Sequence, residues 1–321
     1  MATLSKFAGV TNYGDPLFSD TLESSIYMFM QAAFLNIGAF TNVNIPTGTY
    51  PSGVGSHSFE PYKLRLARDP RYVTGRAWEG IRSDWVWESG IDYGTQPISI
   101  SGIFVNNTYY PNTSNGVSGY KILYPEGKIV FNNPIATTSA VKCAHSYRNV
   151  RISSSDTNWF QQLHFNSFSG DDIQFSQKGS GVWDTLAMNR IQLPAIVLES
   201  LPAVSMKPYE LGSINRTHYQ DVFMHVVAET PWDRKQLHDI ITNQYQKRIM
   251  LINKKKLLTD NKYPLSFDGT IAPSGISYDQ MLTTGYTTQP IAFERIRSQE
   301  QVTAPPMFAA TIRVTFSIDS V

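Results

Sequence analysis

The sequence predicts an α+β, β-rich fold in which an α/β core carries an inserted, mostly antiparallel β-lobe. Three observations lead there. Residues 221–253 read as a strand, a helix and a strand. From Phe59 to about Met188, short aromatic and β-branched runs are cut by Gly, Pro and Asn, without a convincing helical period. Residues 308–318 alternate in hydropathy, as a strand with one covered face does. The 321 residues allow one large domain or two ordinary ones. They divide into an N-terminal arm, helix and loop belonging to the core (1–58), the β-lobe (59–189), and the α/β core with its C-terminal strand (190–321).

Taken in order, residues 1–18 are polar and Gly-containing, which predicts an extended arm. A helix follows over 20–37. Asp20 is its expected N-cap with Glu23 three residues on, and Leu22, Ile26, Phe29, Met30, Ala33 and Ile37 trace one face. Gly38 is the natural stop. Tyr27, Met28 and Phe34 lie off that stripe, so cover on more than one side is expected, a neighbouring subunit being one candidate. Residues 42–58 have the Pro and Gly content of a loop. In the lobe, Tyr120–Tyr124 and Lys128–Phe131 flank Pro125, Glu126 and Gly127, a three-residue hairpin loop with Gly where a positive φ is needed. Val141–Val150 is expected as a third strand of that meander. Ile191–Glu199 restarts apolar patterning as the expected sheet partner of Asp221–Ala228.

The 221–253 unit carries the clearest signals. Val222, Met224, Val226 and Ala228 alternate with Phe223, His225 and Val227, and two largely apolar faces predict a central strand. Thr230 reads as an N-cap, Pro231 as the first helical residue, and Asp233 lies where a carboxylate favours the helix dipole. Leu237, Ile240, Ile241 and Tyr245 form the apolar stripe of that helix. Ile249–Ile252 is a short strand. Residues 261–286 read as a loop, Pro290–Arg297 as a strand, and 308–318 as the last strand, with one face packed and the other wet.

Composition narrows function. Lys and Arg total 27 against 26 Asp and Glu, so no global field steers the chain to nucleic acid or membrane. The charged fraction of 17% is below the usual quarter while aromatics reach 12%, which suits β-rich structure with large contact surfaces. Cys143 is the single cysteine, which excludes an intramolecular disulfide and a cysteine-based metal site. No apolar run approaches the roughly 18 residues of a membrane span, and the N-terminus lacks a signal-peptide pattern.

Motifs for chemistry are missing. His57, His145, His164, His218, His225 and His238 show no metal-ligand spacing, and His225, in the central strand, is expected to be the most buried. Phosphate-loop, dinucleotide and nucleophile-elbow patterns are absent. Asp171 and Asp172 are the one weak carboxylate pair, and adjacent strand residues point apart. No cofactor, metal or catalytic residue is therefore expected. Two clusters remain. Lys247, Arg248, Lys254, Lys255 and Lys256, with Lys262, form a local basic group able to contact a phosphate backbone without sequence preference. Trp78, Trp85 and Trp87 form a dense aromatic block suited to a protein interface, to the lobe's core or to a sugar platform.

The helix 20–37, the hairpin GYKILYPEGKIVFNNPI and the unit VFMHVVAETPWDRKQLHDIITNQ together carry a resemblance. The arrangement resembles the head-to-tail neck proteins of tailed bacteriophages, and the last unit is similar to the α/β core of tail-terminator and tail-completion proteins. The long lobe departs from a minimal terminator. The resemblance implies a terminator-like core and a virion structural protein, assembled in the host bacterial cytoplasm. It also implies a homo-oligomeric ring, hexameric or dodecameric, between the portal or adaptor side and the tail tube or sheath. Genomic DNA would pass the lumen, with non-specific contact to the basic cluster. Residues 1–18, 42–58, 254–288 and 308–318 are the candidate subunit contacts, an arm or edge strand pairing across the boundary. Alternative readings are a receptor- or glycan-binding decoration module, a hydrolase built on Asp171 or Asp172, and a related contractile-apparatus protein.

Overall fold

The computed structural model describes residues 12, 17–46, 60–112, 119–157, 159–160, 174–175, 190–208, 216–301 and 308–320. The helices are α1 (Phe18–Asn36), α2 (Pro231–Thr242), α3 (Lys254–Thr259) and α4 (Tyr278–Thr284). The strands begin with β1 (Phe40–Val43), β2 (Lys63–Leu66), β3 (Ala77–Glu79), β4 (Gly102–Val105), β5 (Thr108–Pro111) and β6 (Tyr120–Leu123). They continue with β7 (Lys128–Phe131), β8 (Val141–Lys142), β9 (His145–Arg148), β10 (Arg151–Ser154), β11 (Gln174–Phe175) and β12 (Arg190–Ile191). The long ones come last: β13 (Ala195–Pro208), β14 (Arg216–Ala228), the shorter β15 (Arg248–Ile252), β16 (Thr287–Gln301) and β17 (Phe308–Ser320). The protein is a strand-rich α+β fold.

A six-stranded sheet, ordered β10-β13-β14-β17-β16-β15, forms the main body, and only its β10–β13 pair is parallel. Ile196, Leu198, Val222, Met224, Val226, Ile312, Val314, Phe316 and Ile318 project from one face into a core shared with Leu22, Ile26 and Met30 of α1 and Leu237 and Ile241 of α2. β14 is central, as its two apolar faces predict, and its expected partner is found: Ala195 faces Val227 and Glu199 faces Phe223. The strand, helix, strand unit is nevertheless not a parallel crossover. β17 and β16 intervene between β14 and β15, and the pairings make β14 and β15 antiparallel. An α/β core was expected; a largely antiparallel sheet with both helices on one face is found.

Local chemistry explains the elements. Thr230 caps α2, its Oγ1 accepting from the Asp233 amide at 3.0 Å, with Pro231 in the first turn. Tyr245 lies beyond the helix and is exposed. α1 starts two residues earlier than expected, after Leu17, and has no side-chain cap. Asp20 sits in its first turn, where it favours the dipole and bonds Lys254 Nζ at 2.6 Å. Met28 and Phe34 are indeed covered off the main stripe, but by this chain itself: Met28 packs with Ile252, Leu257, Tyr278 and Met281. Ser25 Oγ, buried in α1, accepts the Ile252 amide at 3.0 Å and ties the helix to β15.

The lobe is a seven-stranded antiparallel sheet ordered β5-β4-β8-β2-β3-β7-β6. The β6–β7 hairpin turns at Gly127, with φ +62°. A Cβ there would lie 2.6 Å from the Arg82 carbonyl oxygen, so glycine is required twice over. The expected third strand of this meander is broken. β8 pairs with β2 and β4, whereas β9 turns away to pair with β1. β10, also within 59–189, joins the six-stranded sheet.

Two further expectations change. Residues 261–286 are not simply loop: α4 lies within them, opened by a Ser277–Gln280 capping box, and α3, capped by Asn253, precedes them. β17 is no edge strand, since β14 and β16 pair with its two sides. Its backbone groups are spent within the sheet, which removes it as a strand for pairing across a subunit boundary. The candidate contacts 1–11, 13–16 and 47–58 lie outside the described residues.

Candidate functional site

The two clusters that the sequence singles out fare differently in the structure. Trp78 and Trp85 are 3% and 1% exposed and belong to the lobe core, with Trp87 partly buried against it. Trp85 is a wedge. Its indole N–H donates to the Arg82 carbonyl at 2.9 Å, and its ring lies 4.4 Å from that of His145. Side chains so enclosed offer no face to a sugar or partner. The core use of this block prevails for Trp78 and Trp85.

The basic cluster is dispersed over several structures. Lys247 and Arg248 are exposed at the start of β15, and the Lys247 ammonium lies 5.4 Å from the centre of the Phe29 ring. Lys254 is held by Asp20 and Ser24. Lys255 and Lys256 are exposed on α3, Lys256 lying 4.7 Å from the Tyr286 ring centre. Lys254 is part-buried, while Lys247, Arg248, Lys255 and Lys256 are exposed.

Two polar sites escaped the sequence reading. The first is the junction of α1, the lobe and residues 263–279, around a cavity of about 90 Å³. Arg148 of β9 reaches in, Nε donating to Gln31 Oε1 and Nη2 to Glu88 Oε1. Its side chain is 8% exposed and that of Glu88 12%. Asp84, 3.6 Å from Arg151 Nε, also lines the cavity, and burial raises its carboxyl above the ordinary value. Burial pushes the Tyr27 hydroxyl up to about 12. Asp84 Oδ2 and Arg148 Nη1 make no hydrogen bond among the described residues, and a polar cavity of this size accommodates several waters. The partners are far apart in sequence, so no spacing could announce them.

The second is the open face of the six-stranded sheet, a shallow cavity of about 400 Å³ bordered by Lys207, Tyr219, Asp221, Glu294, Arg295 and Arg313. Burial raises the Asp221 carboxyl, but bonds from Arg313 and from Thr315 (2.6 Å) outweigh it and hold the group below the usual range. Lys207 lies 5.2 Å from the Tyr219 ring centre, and the Ser317 hydroxyl donates to Glu294 at 3.2 Å. Charges of both signs alternate here.

Of the histidines, His225 is buried as expected, bonded to Thr311 Oγ1 (3.0 Å) and Glu199 Oε2 (2.9 Å), but His145 is more buried at 0%. Burial lowers the His145 imidazole to about 4, against a weaker raising effect of its bond to the Cys143 carbonyl. A lowered histidine means that the unfolded chain binds the extra proton. Stability therefore falls as pH drops from about 6.5 towards 4, by a few kcal/mol. Urea melts across that range should show the loss, and His145→Phe should flatten it; an unchanged slope would contradict the assignment.

Asp171, Asp172 and the Gly179–Trp183 turn lie outside the described residues. Among the described residues no three His, Cys, Asp or Glu side chains are placed to hold a metal ion, and no helix is long and apolar enough to cross a membrane. The fold is mixed α+β and strand-rich, and its two polar sites hold ion pairs made within the chain, Arg148 with Glu88 and Arg313 with Asp221. No protein-family model matches the sequence, and no curated protein matches it.

Proposed function

We propose that this chain is a virion structural protein that assembles with copies of itself into a ring at the head-to-tail junction of a tailed bacteriophage. One observation carries the assembly reading: large apolar side chains stand bare on or next to helices and at a turn. Ile37, Trp232, Tyr245, Phe267 and Leu282 are all exposed. Isolated exposed apolar groups are ordinary, but Trp, Tyr and Phe at termini of helices and tips of turns suit interface anchors. The polar cavities, by contrast, hold groups bonded to one another. This favours a non-enzymatic role.

The neck assignment rests on the resemblance of residues 20–37, 119–135 and 221–252 to neck proteins, the last unit being the part similar to terminator and completion proteins. Its partners would be the portal or adaptor on one ring face and the tail tube or sheath on the other. The exposed Lys247, Arg248, Lys255 and Lys256 are then the candidates for contact with DNA in the lumen. The burial of Trp78 and Trp85 weakens the glycan-binding alternative. Light scattering of the purified protein, with imaging of assembled particles, tests the reading. Closed rings or density at a head-to-tail junction are expected. A chain that stays monomeric and never enters particles would sink it.

A further inference from the structure

Residues 265–271 form a small, rigid finger. Leu265 and Ile271 bridge, the Ser266 amide donates to the Thr270 carbonyl at 2.8 Å, and the Gly269 amide returns to the Ser266 carbonyl at 2.9 Å. The turn is fastened to the lobe hairpin: the Tyr124 amide donates to the Gly269 carbonyl at 3.1 Å, and Lys121 Nζ meets Asp268 Oδ2 at 3.2 Å. Asp268 Oδ1 also accepts from the Thr270 hydroxyl at 2.7 Å. At the tip stands Phe267, fully exposed. An aromatic ring held out by so many bonds loses little further freedom on binding.

The chain also has an apolar hole. α1 and α2 lie on the same sheet face but leave a gap of about 180 Å³ between them. Ala33, Ile37, Ile240 and Gln244 form its walls, and Met224 and Phe293 its floor. An apolar cavity of about 150 Å³ is enough to admit benzene, the ring that Phe carries. The edges match as well. Asp268 is next to the knob, and Lys247 lines the hole. Knob and hole also lie on different sides of α1. Leu265, at the base of the finger, lines the cavity against Tyr27, Met28 and Gln31, whereas the hole is lined by Met30, Ala33 and Ile37.

We infer that Phe267 of one copy inserts into the α1–α2 groove of the next, a head-to-tail contact between copies of this chain. Such a contact uses two different patches, so each joined pair keeps one free knob and one free hole. Repetition then makes a ring if the rotation closes and a filament if it does not. This deepens the ring reading and rests on it.

The test uses two surface variants of the full chain. Phe267→Ala removes the knob and Ile37→Glu obstructs the hole beside Asp268; both sites are exposed, and circular dichroism checks the fold. Each variant alone should associate about 30-fold or more weakly than the parent in sedimentation. Mixed, they should form one-to-one pairs and nothing larger, because only one intact knob and one intact hole remain. Association of Phe267→Ala equal to the parent's would overturn the contact, as would failure of the mixture to pair. If parent and Phe267→Ala make the same closed rings, the contact is wrong and the ring reading stands. A parent that does not associate at its highest soluble concentration also overturns the contact, and imaging of particles then decides the ring.

Discussion

Replacing Arg148 by alanine is expected to destabilise the protein by about 3–5 kcal/mol, because it strands the Glu88 carboxylate in a site with little access to water. Both side chains are nine-tenths buried or nearly so, and Gln31 loses its donor at the same time. Much of the cost comes from the charge left behind rather than from the worth of the pair itself. The double variant Arg148→Met, Glu88→Leu should therefore recover most of the loss. Urea unfolding of the two single variants and the double variant measures the coupling. Additive losses would show that the two groups do not share one desolvated site. The consequence is architectural: Arg148 is on β9, Gln31 on α1 and Glu88 in the lobe, so the pair locks helix to lobe.

The second large effect is expected at Trp85. Truncation to alanine removes a ring that is 1% exposed and ends its bond to the Arg82 carbonyl. A cost of about 3–5 kcal/mol follows from the lost transfer energy and the cavity left behind. The slot fits the indole closely: a Cβ on Gly80 would lie 2.8 Å from its Cζ2, and one on Gly127 3.0 Å from its Nε1. Neighbours so near the ring edge have no side chain with which to fill the void. Calorimetry should show a melting temperature lower by on the order of 10 °C for Trp85→Ala, with Trp85→Phe intermediate. A variant that melts like the parent yet fails to assemble would instead return Trp85 to the interface that its sequence neighbourhood suggests.

Several elements were legible because a local signal sufficed. β14 and β17 alternate, Thr230 and Pro231 mark a helix start, and Gly127 marks a turn whose φ only glycine tolerates cheaply. The errors have physical sources. α3 and α4 have six and seven residues, too few to show a helical period. β16 runs through Glu294, Arg295 and Arg297, exposed charged residues that hide the alternation of a strand. Strand order is a matter of long-range pairing, so the 221–253 unit could suggest a crossover while β17 and β16 occupied the space between its strands. Trp78 and Trp85 show the same limit: aromatic density says that area will be buried, not whether by the fold or by a partner. The candidate sites were least legible, since Gln31, Glu88 and Arg148 meet only after folding.

The placement of β17 bears on how the protein is made. It is the last described element to leave the ribosome, yet it lies between β14 and β16 and supplies Ile312, Val314, Phe316 and Ile318 to the main core. Until it arrives, two strands of a dozen or more residues wait with unpaired amide edges. At about 5–20 residues per second, the exposure lasts seconds for each nascent chain, and on a polysome neighbouring chains offer the same edges. A stop codon placed just before Phe308 should therefore give insoluble material rather than a smaller soluble core. Supplying residues 308–320 as a separate peptide should compete with that aggregation.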